Sequence, residues 1–142
     1  VVDDFNNIYK VKRGINIYYK NDGKNKYLIY GIENRIEQII ANLLDNAISF
    51  SDDNKDVIVQ VSKSDDNKVY IKILDEGQSF KEKDTNKIFK RFYSNRPDKF
   101  GQHSGLGLNI VKNLVDLHNA TIKATNREDK KGASMEIEFP KV

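Results

Sequence analysis

The feature that most constrains this chain is a set of apolar residues, Ile36, Ile39, Ile40, Leu43, Leu44 and Ala47, recurring at three- and four-residue steps. A helix turns once in about 3.6 residues, so this spacing predicts an amphipathic helix over residues 33–50 with one apolar stripe. Such a stripe must be buried, and the flanking sequence offers strands to bury it against. Residues 14–20 and 27–31 read as short strands joined by the turn Asn21-Asp22-Gly23-Lys24. Residues 56–63 and 68–74 alternate apolar and polar around Asp65-Asp66-Asn67, which predicts a hairpin. A short helix is expected over 85–93 and a second long one over 105–117, with Leu108, Val111, Leu114 and Val115 on one face. Residues 120–126 and 133–139 read as two closing strands around the charged turn 127–132.

Grouped helices among mostly antiparallel strands imply an α+β two-layer sandwich, with the helices on one face of the sheet. The chain has 142 residues and no internal repeat, which fits one domain over 1–142. Its 10% aromatic content argues against disorder. A net charge of +3, with Lys and Asp interspersed, gives no basic face of the kind that binds nucleic acid. The absence of cysteine rules out disulfides and thiolate metal sites. No apolar run approaches the about 20 residues that span a bilayer. The start, Val1-Val2-Asp3-Asp4-Phe5, has neither an initiator Met nor signal-peptide features, so the chain is expected to begin inside a longer protein.

Three local signals carry chemistry. Gln38, Asn42 and Asn46 are spaced by four and stack on one side of the first long helix, next to its apolar stripe. Asparagine is a poor helix former, and a carboxamide is a good neutral oxygen ligand for a hard cation such as Mg²⁺. Surface asparagine in an Asn-rich chain explains the same residues equally well. Next, the strand Ile73-Leu74 ends in Asp75-Glu76-Gly77. Taken alone this is best read as a plain turn; the functional reading is a strand-end carboxylate that accepts from a nucleobase amine. Finally, Ser104-Gly105-Leu106-Gly107-Leu108 opens the second long helix, where free N–H groups and the helix dipole suit phosphate. Tight helix–sheet packing would demand the same glycines. The stretch between Glu76 and Ser104 has little apolar content, and one that long is usually functional or mobile.

Order and spacing say more than any one signal. Asn-Leu-Leu-Asp-Asn-Ala at 42–47, Asp-Glu-Gly at 75–77, Ile-Phe-Lys-Arg-Phe-Tyr at 88–93 and Gly-Leu-Gly-Leu at 105–108 together resemble the catalytic domain of sensor histidine kinases. That domain belongs to the ATPase superfamily that includes gyrase B, Hsp90 and MutL, and the aromatic segment 89–93 sets the kinases apart within it. The resemblance runs through the closing Gly132-Ala133-Ser134-Met135-Glu136-Ile137-Glu138-Phe139-Pro140. Phe92-Tyr93-Ser94-Asn95-Arg96-Pro97 and Phe100-Gly101-Gln102-His103-Ser104-Gly105 are further similar to the ChvG/ExoS-type sensor kinases of alphaproteobacteria, membrane receptors paired with a response regulator.

The resemblance implies a Bergerat-type ATP-binding fold: a mixed sheet covered by about three helices, with a long ATP lid over 78–104. It implies that Asn46 coordinates Mg²⁺ and that Asn42 meets the triphosphate or the metal's water shell. Asp75 would bind the adenine amine, Gly77 would give the base room, and Phe50 would line the pocket. Ser104, Gly105, Leu106, Gly107 and Leu108 would hold phosphate, chiefly through the glycine amides. Phe89 and Phe92 would anchor the lid or dock on partner helices, and Arg96 would stabilise γ-phosphate charge; an exposed lid cation is the equal alternative for Arg96. The reaction would be phosphoryl transfer from ATP to a histidine nitrogen on a dimerisation hairpin lying before Val1. Hydrolytic relatives carry a Glu four residues before the metal Asn, where this chain has Asn42, which fits a kinase that spares ATP from water. Neither His103 in the lid nor His118 near a helix end, where a cation would be favourable, stands in the His-Glu context of a phosphoacceptor.

The implied whole is a homodimeric, inner-membrane-anchored kinase with this part in the cytoplasm, monomeric on its own and acting on a response regulator. Three positions depart from the family pattern: Ser49 replaces a basic residue, Ser79 a glycine, and His118-Asn119-Ala120 the usual His-Gly-Gly. Ser49 and Ser79 keep open a rival reading, a pseudokinase module that uses Mg-ATP as a conformational ligand. The aromatic lid segment counts against a third, a serine-phosphorylating anti-sigma-factor relative.

Overall fold

The computed structural model describes residues 14–23, 27–77, 79–80, 88–89 and 107–142. Strands β1 (Asn16–Asn21), β2 (Asp56–Lys63), β3 (Val69–Leu74), β4 (Thr121–Asn126) and β5 (Ala133–Phe139) form one sheet in the order β1-β2-β3-β5-β4. β1 and β2 are parallel, and the remaining neighbours are antiparallel. A parallel pair needs a crossover, and helix α1 (Glu33–Phe50) supplies it between β1 and β2. Helix α2 (Gly107–Leu117) packs against α1 and β4.

The two-residue period of the strands sorts the side chains. Val57 and Val59 of β2, Ile71 and Ile73 of β3, Ile122 and Ala124 of β4, and Met135 and Ile137 of β5 point to the helical layer and are buried. Ile39, Leu43, Leu44, Ala47 and Ile48 of α1 and Val111 and Val115 of α2 meet them in one core. The other face is polar, with Lys72–Glu136 and Lys68–Glu138 ion pairs at 3.5 and 3.6 Å. Exposed pairs of this kind are worth about 0–1 kcal/mol each, whereas each buried aliphatic side chain contributes about 1.5–3 kcal/mol. The α/β sandwich expected from the sequence is therefore present, held by its apolar layer.

Local chemistry explains the joints. The β2–β3 turn puts Asn67 at φ +66°, with the Ser64 N–H donating to Lys68 O at 2.9 Å; asparagine tolerates this left-handed geometry. Asn119 (φ +55°) ends α2 with its N–H on Asp116 O and the Ala120 N–H on Val115 O, both at 3.1 Å. This is the Schellman pairing, in which asparagine takes the usual place of glycine.

Two expectations fare differently. Residues 27–31 keep their alternation, with Tyr27 and Ile29 packed against the core and Leu28 and Tyr30 exposed, yet they form no strand. Alternation reports which side chains face inward, but a ladder needs a partner edge, and β1 pairs with β2 instead. The segment is pinned at its end by the Ile32 N–H donating to Nε2 of His118 at 3.1 Å. The short helix expected over 85–93 lies outside the described residues except for Ile88 and Phe89, both buried in a 3₁₀ turn.

Leu44 is fully buried between the helices and the sheet. Leu44→Ala is expected to lower unfolding free energy by about 2–5 kcal/mol in urea denaturation, with an unchanged slope.

Candidate functional site

The site forms where α1 and β3 end side by side. Ser51, the residue after α1, is extended and makes an isolated antiparallel bridge with Gly77, just beyond β3. That bridge carries the last turns of α1, with Asn46 and Phe50, to the segment Asp75–Gly77. Asn46 is 7% exposed and Phe50 is buried, while Asn42 and Gln38 are half-buried along the same helix. Among the described residues the Asn46 carboxamide makes no hydrogen bond.

Asp75 is 3% exposed and is held from several sides. Its Oδ1 accepts from the N–H groups of Gly77 and Ala133, each at 3.0 Å. Its own N–H donates to Ala133 O at 3.0 Å, continuing the β3–β5 ladder by one bond. Its carbonyl accepts from Nη1 of Arg127 at 3.1 Å. Gly132 lies over that carbonyl with φ +144°, where a Cβ would come within 2.0 Å of Asp75 O, so only glycine fits.

The chain leaving Asp75 is tied down next. The Glu76 carboxylate accepts from the Asp56 N–H at 2.8 Å and pairs with Lys130 at 3.4 Å. Burial alone would raise the Glu76 carboxyl, but the Asp56 amide and Lys130 outweigh it and hold it below its ordinary value. Ser79 Oγ lies 3.4 Å from both the N–H and the carbonyl of Gly132. Phe80 exchanges two bonds with the Asn126 side chain, its N–H donating to Oδ1 at 2.7 Å and its carbonyl accepting from Nδ2 at 3.2 Å. The loop between β4 and β5 thus grips the whole exit of β3.

Gly107 begins α2 and is exposed; a Cβ there would have no described atom within 4 Å, so packing among the described residues does not explain the glycine. Leu108 packs its side chain against the core. Phe89 is buried in the core, and its carbonyl accepts from the Asn109 side chain at 3.1 Å, so it serves as an anchor. Arg96, Ser104, Gly105 and Leu106, like Phe92 and His103, lie outside the described residues. His118 is buried, and a backbone N–H can only donate, so its Nε2 accepts from Ile32 and its Nδ1 proton faces Leu114 O at 2.7 Å. The ring thus bridges the segment before α1 and the end of α2.

Asn126, Arg127, Gly132 and Ala133 are not singled out by the sequence, where they read as a strand end, a charged turn and a strand start. A glycine immediately before an apolar strand was the available signal.

The chain belongs to the family of histidine kinase-, DNA gyrase B- and HSP90-like ATPases, whose pattern matches residues 31–142. Among sequences, sensor protein ChvG of Agrobacterium fabrum is 34% identical over 139 residues, covering 93% of this chain and 23% of that protein. Sensor protein ChvG of Rhizobium meliloti is 36% identical over 116 residues, covering 80% of this chain and 20% of that protein. The chain therefore spans 20–23% of the length of these two relatives. Among solved structures, the catalytic domain of histidine kinase ThkA superposes with a TM-score of 0.81 at 26% identity, covering 99% of this chain and 88% of that one.

Gly132→Ala is expected to cost at least about 2 kcal/mol in urea denaturation, since both its backbone angle and the Asp75 carbonyl oppose a methyl group. Acid titration tests Glu76. A carboxyl lowered in the folded state stabilises fully above its ordinary value of 4.5, and that contribution is lost as pH falls through the lower folded value. Glu76→Gln is expected to flatten the stability–pH curve in that acid range.

Proposed function

We propose that this chain binds Mg-ATP between the end of α1, the Asp75–Gly77 segment and the start of α2, and that it donates the γ-phosphoryl group to a histidine. The observation that carries the reading is the buried Asp75 carboxylate, oriented by the Gly77 and Ala133 amides beside the helix end that carries Asn46. A carboxylate fixed in this way accepts from an exocyclic amine, which adenine has at its C6 position and guanine lacks there. Gly77 keeps the floor of that contact free of a side chain, and Phe50 lines it.

Asn46 fits a metal ligand because it sits 7% exposed near the helix end and its carboxamide, bonded to no described group, keeps an oxygen available. Among the described residues there is no cluster of three His, Cys, Asp or Glu. One carboxamide oxygen, completed by phosphate and water, matches how Mg²⁺ is usually held. Bound Mg²⁺ supplies charge neutralisation on the phosphates. Asn42, one turn earlier, faces the triphosphate or the metal's water shell. The amides of Gly105, Gly107 and Leu108, with Ser104 and Leu106, cradle the phosphates, and Arg96 meets developing γ-phosphate charge. Asn42 is no base, so the chain positions phosphate without activating water.

The acceptor histidine belongs to a dimerisation hairpin of the same kinase, and a response regulator takes the phosphoryl group onward. Support comes from ThkA, which has also been solved in complex with its response regulator TrrA. On this reading the chain is a single cytoplasmic catalytic domain of a membrane-anchored homodimer, monomeric when separated; its relatives are named sensor proteins. No helix among the described residues is long and apolar enough to cross a membrane.

A second reading, a regulatory module that binds Mg-ATP without efficient transfer, is favoured by the Ser79–Gly132 contacts, which the family's glycine could not make. Mixing the chain with its native hairpin and labelled ATP separates the two. Acid-labile, alkali-stable phosphate on the hairpin is expected; tight ATP binding with no label would establish the regulatory module instead. Calorimetry checks the site: Asp75→Asn, which keeps an acceptor for both amides, should lose ATP affinity about tenfold or more, and Asn46→Ala should lose the Mg²⁺-dependent part. Normal Mg-ATP binding by both variants would refute the assignment.

A further inference from the structure

We infer that Arg127, in the loop between β4 and β5, is a positioning residue that aims the Asp75 carboxylate at the nucleobase. The inference rests on the reading of Asp75 as the adenine partner, and goes beyond it by naming what sets its direction.

Arg127 is an unusual residue for a hairpin loop. Its side chain is only 4% exposed, although burying a guanidinium is costly unless it is paired and hydrogen-bonded. Here it is both, with three of its five N–H donors engaged. Nε and Nη2 make a fork to Oδ1 and Oδ2 of Asp129 at 3.0 and 2.8 Å. Nη1 donates to Asp75 O at 3.1 Å, and the Arg127 main-chain N–H donates to Gly132 O at 2.9 Å. The fork holds the Asp129 carboxyl down at about 2, so the pair stays charged through neutral and mildly acidic pH.

Arg127 meets the Asp75 carbonyl just past the end of the ladder. The paired register of β3 and β5 ends at Leu74 opposite Ser134, and Gly132 crosses directly over Asp75 O. Arg127 supplies the hydrogen bond there, fixing the peptide plane that follows Asp75. With that plane held and Oδ1 clamped by Gly77 and Ala133, the carboxylate has little freedom to rotate. Asp129 in turn fixes the guanidinium, so an exposed acid on the loop contributes to base recognition without touching the base. A lysine at 127 could reach one acceptor but could not fork onto Asp129 while bonding Asp75 O.

The test is adenine-over-guanine selectivity, measured by calorimetry with ADP and GDP on the full chain. Arg127→Ala should weaken ADP binding about tenfold with GDP binding unchanged, Asp129→Asn about threefold, and Arg127→Lys should fall between wild type and Arg127→Ala. A merely structural role would lower the melting temperature of these variants while leaving the ADP-to-GDP affinity ratio at its wild-type value, and that result overturns the proposal. If Arg127→Ala does not fold, the exposed Asp129→Asn decides: a reduced ratio supports the proposal and an unchanged one overturns it. Asp75→Asn in the same assay separates this from the underlying reading. Loss of selectivity there with none in the Arg127 and Asp129 variants overturns the positioning role alone. Retained selectivity in Asp75→Asn removes Asp75 as the base contact and the positioning role with it.

Discussion

Asp75 stands at the last rung of the β3–β5 ladder, and its buried carboxylate takes over where main-chain pairing stops. One oxygen satisfies the amides of Gly77 and Ala133, which belong to different strands' ends and would otherwise be stranded away from water. A bond to a charged acceptor is worth about 1.5–3 kcal/mol, more than an exposed ion pair, so this residue welds the β3 exit to the start of β5. On the proposed reading, structural and chemical roles coincide: the group that closes the sheet is the group that recognises the base. Gly132 is what permits the weld, because any side chain there would strike the Asp75 carbonyl.

The rest of the molecule delivers partners to that point. The parallel β1–β2 pair requires a crossover, and α1 as crossover must run back over the sheet to reach β2. Its apolar stripe fixes its rotation, and with that the side on which Gln38, Asn42 and Asn46 emerge. The Ser51–Gly77 bridge then sets the end of α1 against the strand exit. α2 packs on α1 and starts at an exposed glycine.

The three departures from the family pattern act through different physics. Asn119 keeps the left-handed helix end that a glycine would make, so its effect is confined to the α2 cap. Ser79 adds a hydroxyl within reach of Gly132, an extra tie at the exit of β3. Ser49, half-buried on the last turn of α1, takes a cation away from the helix that carries Asn46. The first is a matter of turn geometry, and the other two bear on how phosphate and the following segment are held.

Periodicity and turn chemistry were enough to read most of this fold from the residues themselves. The stripe of α1, the alternation of β2, β3 and β5 and the asparagine-bearing β2–β3 turn are local, so a single stretch of chain displays them. The ligand-facing candidates Asn46, Asp75 and Gly107 were visible for the same reason, as polar or glycine residues breaking an apolar pattern at element ends. Only tertiary structure decided that residues 27–31 stay unpaired, since their alternation says nothing about which strand edge is free. It alone turned His118 into an acceptor for the Ile32 amide, and made Arg127 and Gly132 part of the Asp75 node. Those contacts join residues 52 to 86 positions apart, and no local pattern in a sequence records a hydrogen bond over that separation.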